Sequence, residues 1–368
     1  MTISLLETAQ TRDGRLLLAR EALRQGLGTD APFRPLLRLL SYLPRLTGPL
    51  KPPINPCRGQ VVVIGNPRTG STMLQRLLVD LGVGAGPRLW QQLLPGGRTW
   101  NWTRQLLPLL RPIDPGRFHN PAVHLTGLHH VETDEIPLLA AEVDGLFAYT
   151  YFWSFANEDW SSLVDINQRN TIDRDLAILG AHHAAISNFS DGARVVSRIF
   201  GLAPMLSELL ETWPDARVLF VMRDPACFLP SARSLVISTL AARLGSKLTH
   251  ELQSRVGDRV EEGLIRLAAA SANSYIHLSS SQRARVRLVS YDRLTNNILD
   301  EVSSILEFLS HPLDDEGHLL LHSRAHAQRS HLSQIHYSPS HSAGHDKRLE
   351  AYRYLLESAN SGCVSLSN

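Results

Sequence analysis

One short stretch, residues 61–81, constrains the fold of this 368-residue chain more than any other. It opens with VVVIG (61–65), a continuous apolar run that is typical of a parallel strand buried on both faces. The segment NPRTGST comes next, and apolar residues then recur at helical spacing up to Gly82, namely Met73, Leu74, Leu77, Leu78 and Leu81. This order predicts a strand, a glycine-containing turn and a helix.

Three further segments have the composition of strands: RVVSRIF (194–200), ARVLFVM (216–222) and RVRLVSY (285–291). A helical segment, LAPMLSELLETW, separates the first two, so strand–helix–strand units recur along the chain. This alternation predicts an α/β fold with a central, mostly parallel sheet flanked by helices. The long segments 83–190 and 229–280 are helical by pattern. They are expected to be helical insertions over the carboxyl ends of the strands, where open α/β sheets bind ligands.

The remaining segments lie toward the two ends of the chain. Residues 1–55 are expected to form an N-terminal helical segment packed on the core, and the proline-rich stretch KPPINPCRGQ (51–60) ends it. Residues 56–368 are then expected to form one α/β domain with a P-loop-like phosphate-binding loop after its first strand. Within this domain, residues 310–348 are rich in His and Ser and are expected to be loop with short helices.

Charge and cysteine content exclude several classes of protein. Lys and Arg number 37 against 35 Asp and Glu, whereas nucleic-acid binding needs a field of surplus cations, so no nucleic-acid partner is expected. Three cysteines, an odd number and far apart, do not make a disulfide framework. Glu7 and Asp13 stand where a signal peptide would be apolar, and no apolar run is long enough to span a membrane. We therefore expect a cytoplasmic protein without a membrane span.

The turn after the first strand has the spacing of an anion-binding loop. Gly65 and Gly70 allow close approach of the backbone, and the helix N-terminus presents unpaired N–H groups and the positive end of its dipole. The same spacing occurs in the Walker A loop, which requires a lysine directly after its second glycine. This chain has Ser71 there, and the cation of its loop is Arg68. A P-loop kinase or nucleotide hydrolase is thus the alternative. This chain lacks the lysine that such a protein requires, and it lacks an Asp at the end of a strand that would bind Mg²⁺.

The same residues resemble a known family. PRTGST (67–72) is similar to the 5′-phosphosulfate-binding loop of sulfotransferases that use 3′-phosphoadenosine 5′-phosphosulfate (PAPS). The segment WPDARVLFVMRDPACFLPSARSL (213–235) resembles the 3′-phosphate-binding segment of this family. In it, Arg223 and Ser231 match the pair that grips the 3′-phosphate.

Two later segments resemble the same family. LVSYDRL (288–294), which contains Tyr291, is similar to the strand end written YEDL in many sulfotransferases. IHYSPSHSAGHDKRLEAY (335–352) is similar to a late segment that often reads HxYS in bacterial members. The resemblance implies PAPS as co-substrate, no metal, and a set of donor-binding residues: Pro67, Arg68, Thr69, Gly70, Ser71, Thr72, Arg223, Ser231 and Tyr291.

One motif of the family is altered in this chain. Members often carry Lys-Ser-Pro-x-His just before the helix that leads to the 3′-phosphate strand. The corresponding position here holds Arg198, followed by Ile199 and Phe200. Arg198 keeps the charge, so it is expected to lie, with Arg68, near the sulfuryl group that is transferred.

A cluster of acids and histidines, GLHHVETDEIPLL (127–139), precedes a predicted helix. Sulfuryl transfer to a hydroxyl needs a base for the acceptor proton, and His, or a carboxylate that orients it, suits this at neutral pH. The cluster resembles the acceptor-side segment of the family, so the base is expected among His130, Glu132 and Glu135. Helix capping by Thr133 and the acids that follow it is the alternative interpretation.

Two patterns concern other ligands. Histidines recur every four residues, as on one helix face, at His318, His322 and His326. They are expected to be surface residues rather than a zinc site. Five tryptophans in 83–190 indicate an apolar, aromatic acceptor pocket: Trp90, Trp100, Trp102, Trp153 and Trp160.

The motifs predict a PAPS-dependent sulfotransferase. Its acceptor would be a small organic molecule with a hydroxyl or an amine, whose identity these patterns leave open, as they do the oligomeric state. Because the Lys-Ser-Pro-x-His run is altered, a non-catalytic protein that binds adenosine 3′,5′-bisphosphate is the alternative from outside the enzymes.

Overall fold

The structure is a computed structural model that describes residues 4–47, 57–93, 97, 100–109, 114, 126–132, 135–164, 171–331 and 346–361. Its centre is a parallel sheet of four strands: β1 (Val61–Gly65), β2 (Val196–Ile199), β3 (Arg217–Met222) and β4 (Val286–Ser290). Each strand lies within a segment that the sequence predicts as a strand. The predicted α/β class with a parallel sheet is therefore confirmed.

β1 is a central strand of this sheet, and the strand order is β2-β1-β3-β4. All five of its residues are buried. Val62 and Ile64 pack into a large apolar core on one face, whereas Val61 and Val63 pack into a smaller core on the other. A strand covered on both faces requires the unbroken apolar run that the sequence shows here.

Helices cover both faces of the sheet. In chain order they are α1 (Leu5–Ala9), α2 (Arg12–Leu27), α3 (Arg34–Thr47), α4 (Ser71–Asp80), α5 (Leu89–Leu93), α6 (Trp100–Leu106), α7 (Glu135–Ala140), α8 (Gly145–Tyr151), α9 (Ile172–Phe189), α10 (Leu206–Thr212), α11 (Pro225–Leu244), α12 (His250–Ile276), α13 (Ser280–Arg283), α14 (Tyr291–Asn296), α15 (Ile298–Phe308), α16 (Asp315–His331) and α17 (Glu350–Ser361).

The strand order creates a switch point between β1 and β3. The chain leaves β1 toward β2 on one side and leaves β3 toward β4 on the other, and ligands of open α/β sheets bind outside the carboxyl ends of strands at such a point. The two strands approach closely there, because a Cβ on Gly65 would lie 2.3 Å from the carbonyl oxygen of Val221. Gly65 also has a φ of 144°, a conformation that favours glycine.

The N-terminal helices pack into the large core. Leu23 of α2 and Phe33 belong to the same apolar cluster as the residues of β1. Arg15 of α2 is 1% exposed and contacts the carboxylates of Glu142 at 3.4 Å and Asp144 at 3.5 Å, just before α8. Both apolar and charged contacts thus tie the start of the chain to its middle.

α16 differs from its expected structure. Residues 310–348 are expected to be loop with short helices, but 315–331 form one continuous helix. Its apolar positions Leu321 and Ala325, four residues apart, pack into the smaller core, and the abundance of His and Ser obscures this single apolar face in the sequence. The three histidines at four-residue spacing are exposed. Residues 332–345 lie outside the described part of the chain.

The five tryptophans do not share a pocket. Trp90 and Trp100 meet edge to face, with ring centroids 5.8 Å apart, in a small core beside β2. Trp153 and Trp160 are buried in the large core, and Trp102 is exposed. Large aromatic side chains contribute most to the stability of a fold when they are buried in its core. The structure therefore gives no support to an acceptor pocket lined by all five.

One helix among the described residues, Pro225–Lys247, passes a test of length and hydropathy for a membrane span. It begins directly after β3, and Phe228, Leu229 and Leu240 pack into the large core. A core helix passes the same test, so this finding is weak evidence for a span.

Candidate active site

The turn after β1 forms a loop at the switch point, which we call the phosphate loop (residues 66–70). Gly70 is the N-cap residue of α4 with a φ of 85°, and among the described residues no side chain caps this helix. The N–H groups of its first turn are therefore open to an anion. Thr69 is buried, and its hydroxyl donates to the carbonyl of Asn66 at 2.7 Å, which closes the loop on itself.

Arg68 joins the phosphate loop to the second predicted phosphate-binding segment. Its φ is 71°, a left-handed conformation that residues other than glycine seldom adopt. Its Nε donates to Oγ of Ser231 at 3.0 Å. Ser231 lies in the second turn of α11 and is 2% exposed. The structure thus brings together two residues that the sequence assigns to opposite ends of the donor, while Pro67, Ser71 and Thr72 flank them in the loop and first turn of α4.

Arg223 lies directly after β3, beside the phosphate loop. Its Nη1 donates to the carbonyl oxygen of Arg68 at 2.9 Å. Its guanidinium stacks on the ring of Tyr291, with Cζ 4.2 Å from the ring centroid. Within the described part of the chain, Nε and Nη2 have no acceptor. Asp224 accepts from the backbone N–H of Ala226 at 2.8 Å and caps α11, so Arg-Asp-Pro ends a strand and starts a helix.

Tyr352 of α17 is a residue of the candidate site that the sequence does not predict. Its hydroxyl accepts from the backbone N–H of Arg223 at 3.2 Å and is 3.3 Å from the carbonyl oxygen of the same residue, to which it donates. The side chain is buried, and burial raises the pKa of the hydroxyl, which therefore keeps its proton. A signal was present, because Tyr352 ends the late segment that resembles the family.

Glu132 is held between two arginines. Its Oε1 accepts from Nη2 of Arg76 at 2.8 Å, and its Oε2 lies 3.4 Å from Nη2 of Arg198. Glu132 and Arg198 are both buried. Arg76 also donates from Nε to the carbonyl of Val131 at 3.1 Å. The sequence predicts Glu132 and Arg198 as site residues but misses Arg76, whose signal was a lone cation within an apolar helix that starts at the phosphate loop.

His130 lies two residues before Glu132 and is half-buried. Burial lowers the pKa of its imidazole, and the charge of Arg76 lowers it further, while Glu132 and Asp114 act in the opposite direction. A lowered pKa keeps the ring neutral, and so able to accept a proton, at pH 7. Its neighbour His129 is exposed.

Glu135, the third predicted base, begins α7, and its side chain lies outside what the structure describes. Thr133 and Asp134 are also outside the described residues, so the capping interpretation stays a prediction. Among the described residues, no group of three or more His, Cys, Asp and Glu side chains is placed to hold a metal ion.

The chain is similar to sulfotransferases in sequence and in structure. A family model described as "Sulfotransferase family" matches residues 60–315, which include both of the predicted phosphate-binding segments. No curated protein matches the chain by sequence. Sulfotransferase STF9 from Mycobacterium avium has a TM-score of 0.60 at 17% identity, over 96% of this chain and 89% of that chain. Sulfotransferase STF1 from Mycobacterium tuberculosis has a TM-score of 0.59 at 18% identity, over 87% and 88%. At 17% and 18% identity, the similarity to these two structures supports the fold of this chain alone.

Proposed function

The chain belongs to the sulfotransferase family, and from this premise we propose that it transfers a sulfuryl group from PAPS to a hydroxyl or amine of a small organic acceptor. The observation that carries the proposal is the pair of anion-binding segments at the switch point. The phosphate loop follows β1, Arg223 follows β3, and Arg68 bonds to Ser231 between them. A donor with phosphate at both its 5′ and 3′ positions would use both segments, whereas a simple nucleotide would use one.

The donor would lie across the carboxyl ends of β1 and β3. Its 5′-phosphosulfate would accept from the open N–H groups at the start of α4 and from the hydroxyls of Ser71 and Thr72. Its 3′-phosphate would accept from Ser231 and from the open edge of Arg223, whose planar fork suits phosphate.

In the reaction, one bond to sulfur forms, another breaks, and one proton is transferred. The acceptor oxygen attacks sulfur, its O–H proton passes to a base, and the bond from sulfur to the bridging oxygen breaks to release adenosine 3′,5′-bisphosphate. Negative charge gathers on that oxygen, where donors fixed in advance contribute most to the rate. Arg198, held by Glu132 in the neighbouring β2, is one cation that would stabilise this charge. Arg68 is the other, and it would do so from the phosphate loop, although its Nε also bonds to Ser231 on the 3′-phosphate side.

His130 is the best candidate for the base. Both carboxylate oxygens of Glu132 face guanidinium groups, so that side chain serves to hold Arg198. His130, by contrast, is half-buried with a lowered pKa, and a neutral imidazole can accept the proton of the acceptor hydroxyl. Glu135 stays a prediction from the sequence.

Binding of adenosine 3′,5′-bisphosphate tests the donor. At 100 times its dissociation constant, the ligand should raise the free energy of unfolding by about 2.7 kcal/mol, with or without EDTA. Arg223→Ala should weaken binding of the bisphosphate by about 10- to 100-fold, the loss of one charge-assisted contact. It should change binding of 5′-AMP far less, because 5′-AMP has no 3′-phosphate. Calorimetric titration of both nucleotides measures the difference.

The alternatives give different results in the same assays. A P-loop kinase or hydrolase would prefer ATP and would require Mg²⁺. A non-catalytic binding protein would bind the bisphosphate, yet it would form no sulfated product from PAPS with a panel of hydroxyl and amine acceptors. Equal weakening of both nucleotides in Arg223→Ala would give Arg223 a structural role.

A further inference from the structure

We propose that Tyr291 is a positioning residue, whose ring holds the guanidinium of Arg223 and the end of the phosphate loop at a fixed separation. The sequence assigns Tyr291 to direct contact with the donor. The geometry points instead to an indirect role, in which the ring makes the site selective for a donor that carries a 3′-phosphate. This inference rests on the proposed function.

The guanidinium of Arg223 is fixed at two points. One is the hydrogen bond from Nη1 to the carbonyl oxygen of Arg68, at 2.9 Å. The other is the face of the Tyr291 ring, 4.2 Å from Cζ to the centroid, well inside the distance at which a cation and an aromatic ring attract each other. The hydrogen bond from Nη1 and the face of the ring together restrict the orientation of the guanidinium. Its Nε and Nη2 edge is then held in a constant direction, as recognition of phosphate by two parallel hydrogen bonds requires.

The edge of the same ring lies against the phosphate loop. A Cβ on Gly70 would be 2.8 Å from Cδ2 of Tyr291 and 3.1 Å from Cε2, distances that leave no space for a side chain. Glycine is thus required at position 70 by the ring as well as by its φ of 85°. The ring therefore contacts both Gly70, the N-cap residue of α4, and the guanidinium of Arg223, and it fixes the spacing between the two segments that would bind the phosphates of the donor.

Tyr291 is itself held by its backbone. It is the first residue of α14, directly after β4, and its carbonyl accepts from the hydroxyl of Thr295 at 3.0 Å. The hydroxyl of Ser290, the N-cap residue, accepts from the backbone N–H of Arg293 at 3.3 Å. The hydroxyl of Tyr291 makes no hydrogen bond with the described residues, so the contacts on which the inference rests belong to the ring alone.

Two substitutions separate the ring from its hydroxyl. Tyr291→Phe keeps the ring and should bind adenosine 3′,5′-bisphosphate and 5′-AMP within about twofold of the wild type. Tyr291→Leu removes the ring and should weaken binding of the bisphosphate by about 5- to 30-fold, with about threefold or less for 5′-AMP. In an Arg223→Ala background, Tyr291→Leu should cause no further loss of bisphosphate affinity, because the ring acts through that cation. Calorimetric titration gives all of these affinities. Tyr291→Met serves as a second variant without the ring if Tyr291→Leu does not fold.

Each of several results would overturn the inference. If Tyr291→Phe loses as much affinity as Tyr291→Leu, the hydroxyl contacts the donor directly. If the ringless variant weakens both nucleotides equally, or if its loss adds to that of Arg223→Ala, the ring supports the fold and not Arg223. Failure of the proposed function is distinguishable in the wild-type chain, which would then prefer ATP to the bisphosphate, or would bind the bisphosphate and form no sulfated product from PAPS. If a folded variant without the ring binds the bisphosphate with the affinity of the wild type, this inference is overturned and the proposed function stands.

Discussion

At the scale of single residues, the candidate site contains one candidate proton acceptor, His130, and the charged side chains around it. Glu132 contacts Arg76 and Arg198 at 2.8 and 3.4 Å, whereas His130 is half-buried beside this group. The guanidinium of Arg76 therefore has two effects. It contributes to holding Glu132 in place, and its charge favours the neutral form of His130.

His130→Ala should reduce turnover by about 10²- to 10⁴-fold without weakening donor binding, the usual effect of removing a general base. In the wild type, the base must be neutral to accept a proton, so turnover should fall as the pH falls through the pKa of His130. Because that pKa is lowered, the acid limb of the pH–rate profile should lie below the ordinary histidine value of about 6.5. Turnover measured between pH 5 and 8 locates this limb.

His129→Ala is the matched control, since His129 is the exposed neighbour in the same segment and should keep its rate. An acid limb above the ordinary histidine value, or a rate unchanged in His130→Ala, would place the base elsewhere. Glu135→Gln is then the next variant to measure.

At the scale of elements, the ion pairs of Glu132 connect three pieces of the fold. Arg76 comes from α4 and Arg198 from β2, while Glu132 lies in the part of the chain ahead of α7. These pieces are adjacent because α4 packs on β2, where Gln75 donates to the carbonyl of Val196 at 3.0 Å. The carboxylate thus connects the residues before α7 to α4 and to the edge of the sheet.

Glu132→Gln should lower the free energy of unfolding by about 3 kcal/mol, because two guanidinium groups, one of them buried, lose their anionic partner. Urea unfolding measures this change. Glu262→Gln is the control: Glu262 also contacts two arginines, Arg266 and Arg348, but at a more exposed position, so its loss should be below about 1 kcal/mol. If Glu132→Gln leaves stability unchanged and abolishes turnover, Glu132 is the base and not a support.

Elements whose formation depends on residues close together in the sequence could be predicted from it. The strands are visible because each is an apolar run, and the phosphate loop because its glycines and Arg68 lie within six positions. The contacts of Arg76, Tyr352 and Ser231 could not be predicted, since each joins residues far apart in the chain. The sequence predicts only short helices where α16 forms, because the apolar face of this helix consists of few residues among many polar ones.

The whole molecule forms its large core with residues from both ends of the chain. Helices α1 to α3 and α17 contribute to the same apolar cluster as β1 and β3. The guanidinium of Arg15 adds a buried charged contact, to Asp144, which also accepts from Arg174 at 2.7 Å. The boundary near residue 55 that the sequence suggests stays a prediction about chain organisation.

Arg15→Met should lower the free energy of unfolding by about 3 kcal/mol, because Asp144 and Glu142 lose a buried cation. Arg24→Met, an exposed change on the same helix, should stay within about 0.5 kcal/mol of the wild type. Tryptophan fluorescence is the informative probe, since no tryptophan lies before residue 90. An unchanged fluorescence transition in Arg15→Met, with a shifted far-ultraviolet circular dichroism transition, would mean that the N-terminal helices unfold separately.

β1 acquires its neighbours from distant parts of the chain, since Val61 pairs with Val196 on one side and with Arg217 on the other. Pairings of this kind give a high contact order, and chains with high contact order fold slowly because long loops must close first. The two predicted phosphate-binding segments do not meet until β3 has docked, so a growing polypeptide would have no donor site until its synthesis had passed this strand. A ligand that needs the finished site stabilises the native state without helping an early folding nucleus, and it acts mainly by slowing unfolding. The nucleotide would thus prolong the lifetime of the folded enzyme and leave its rate of folding unchanged.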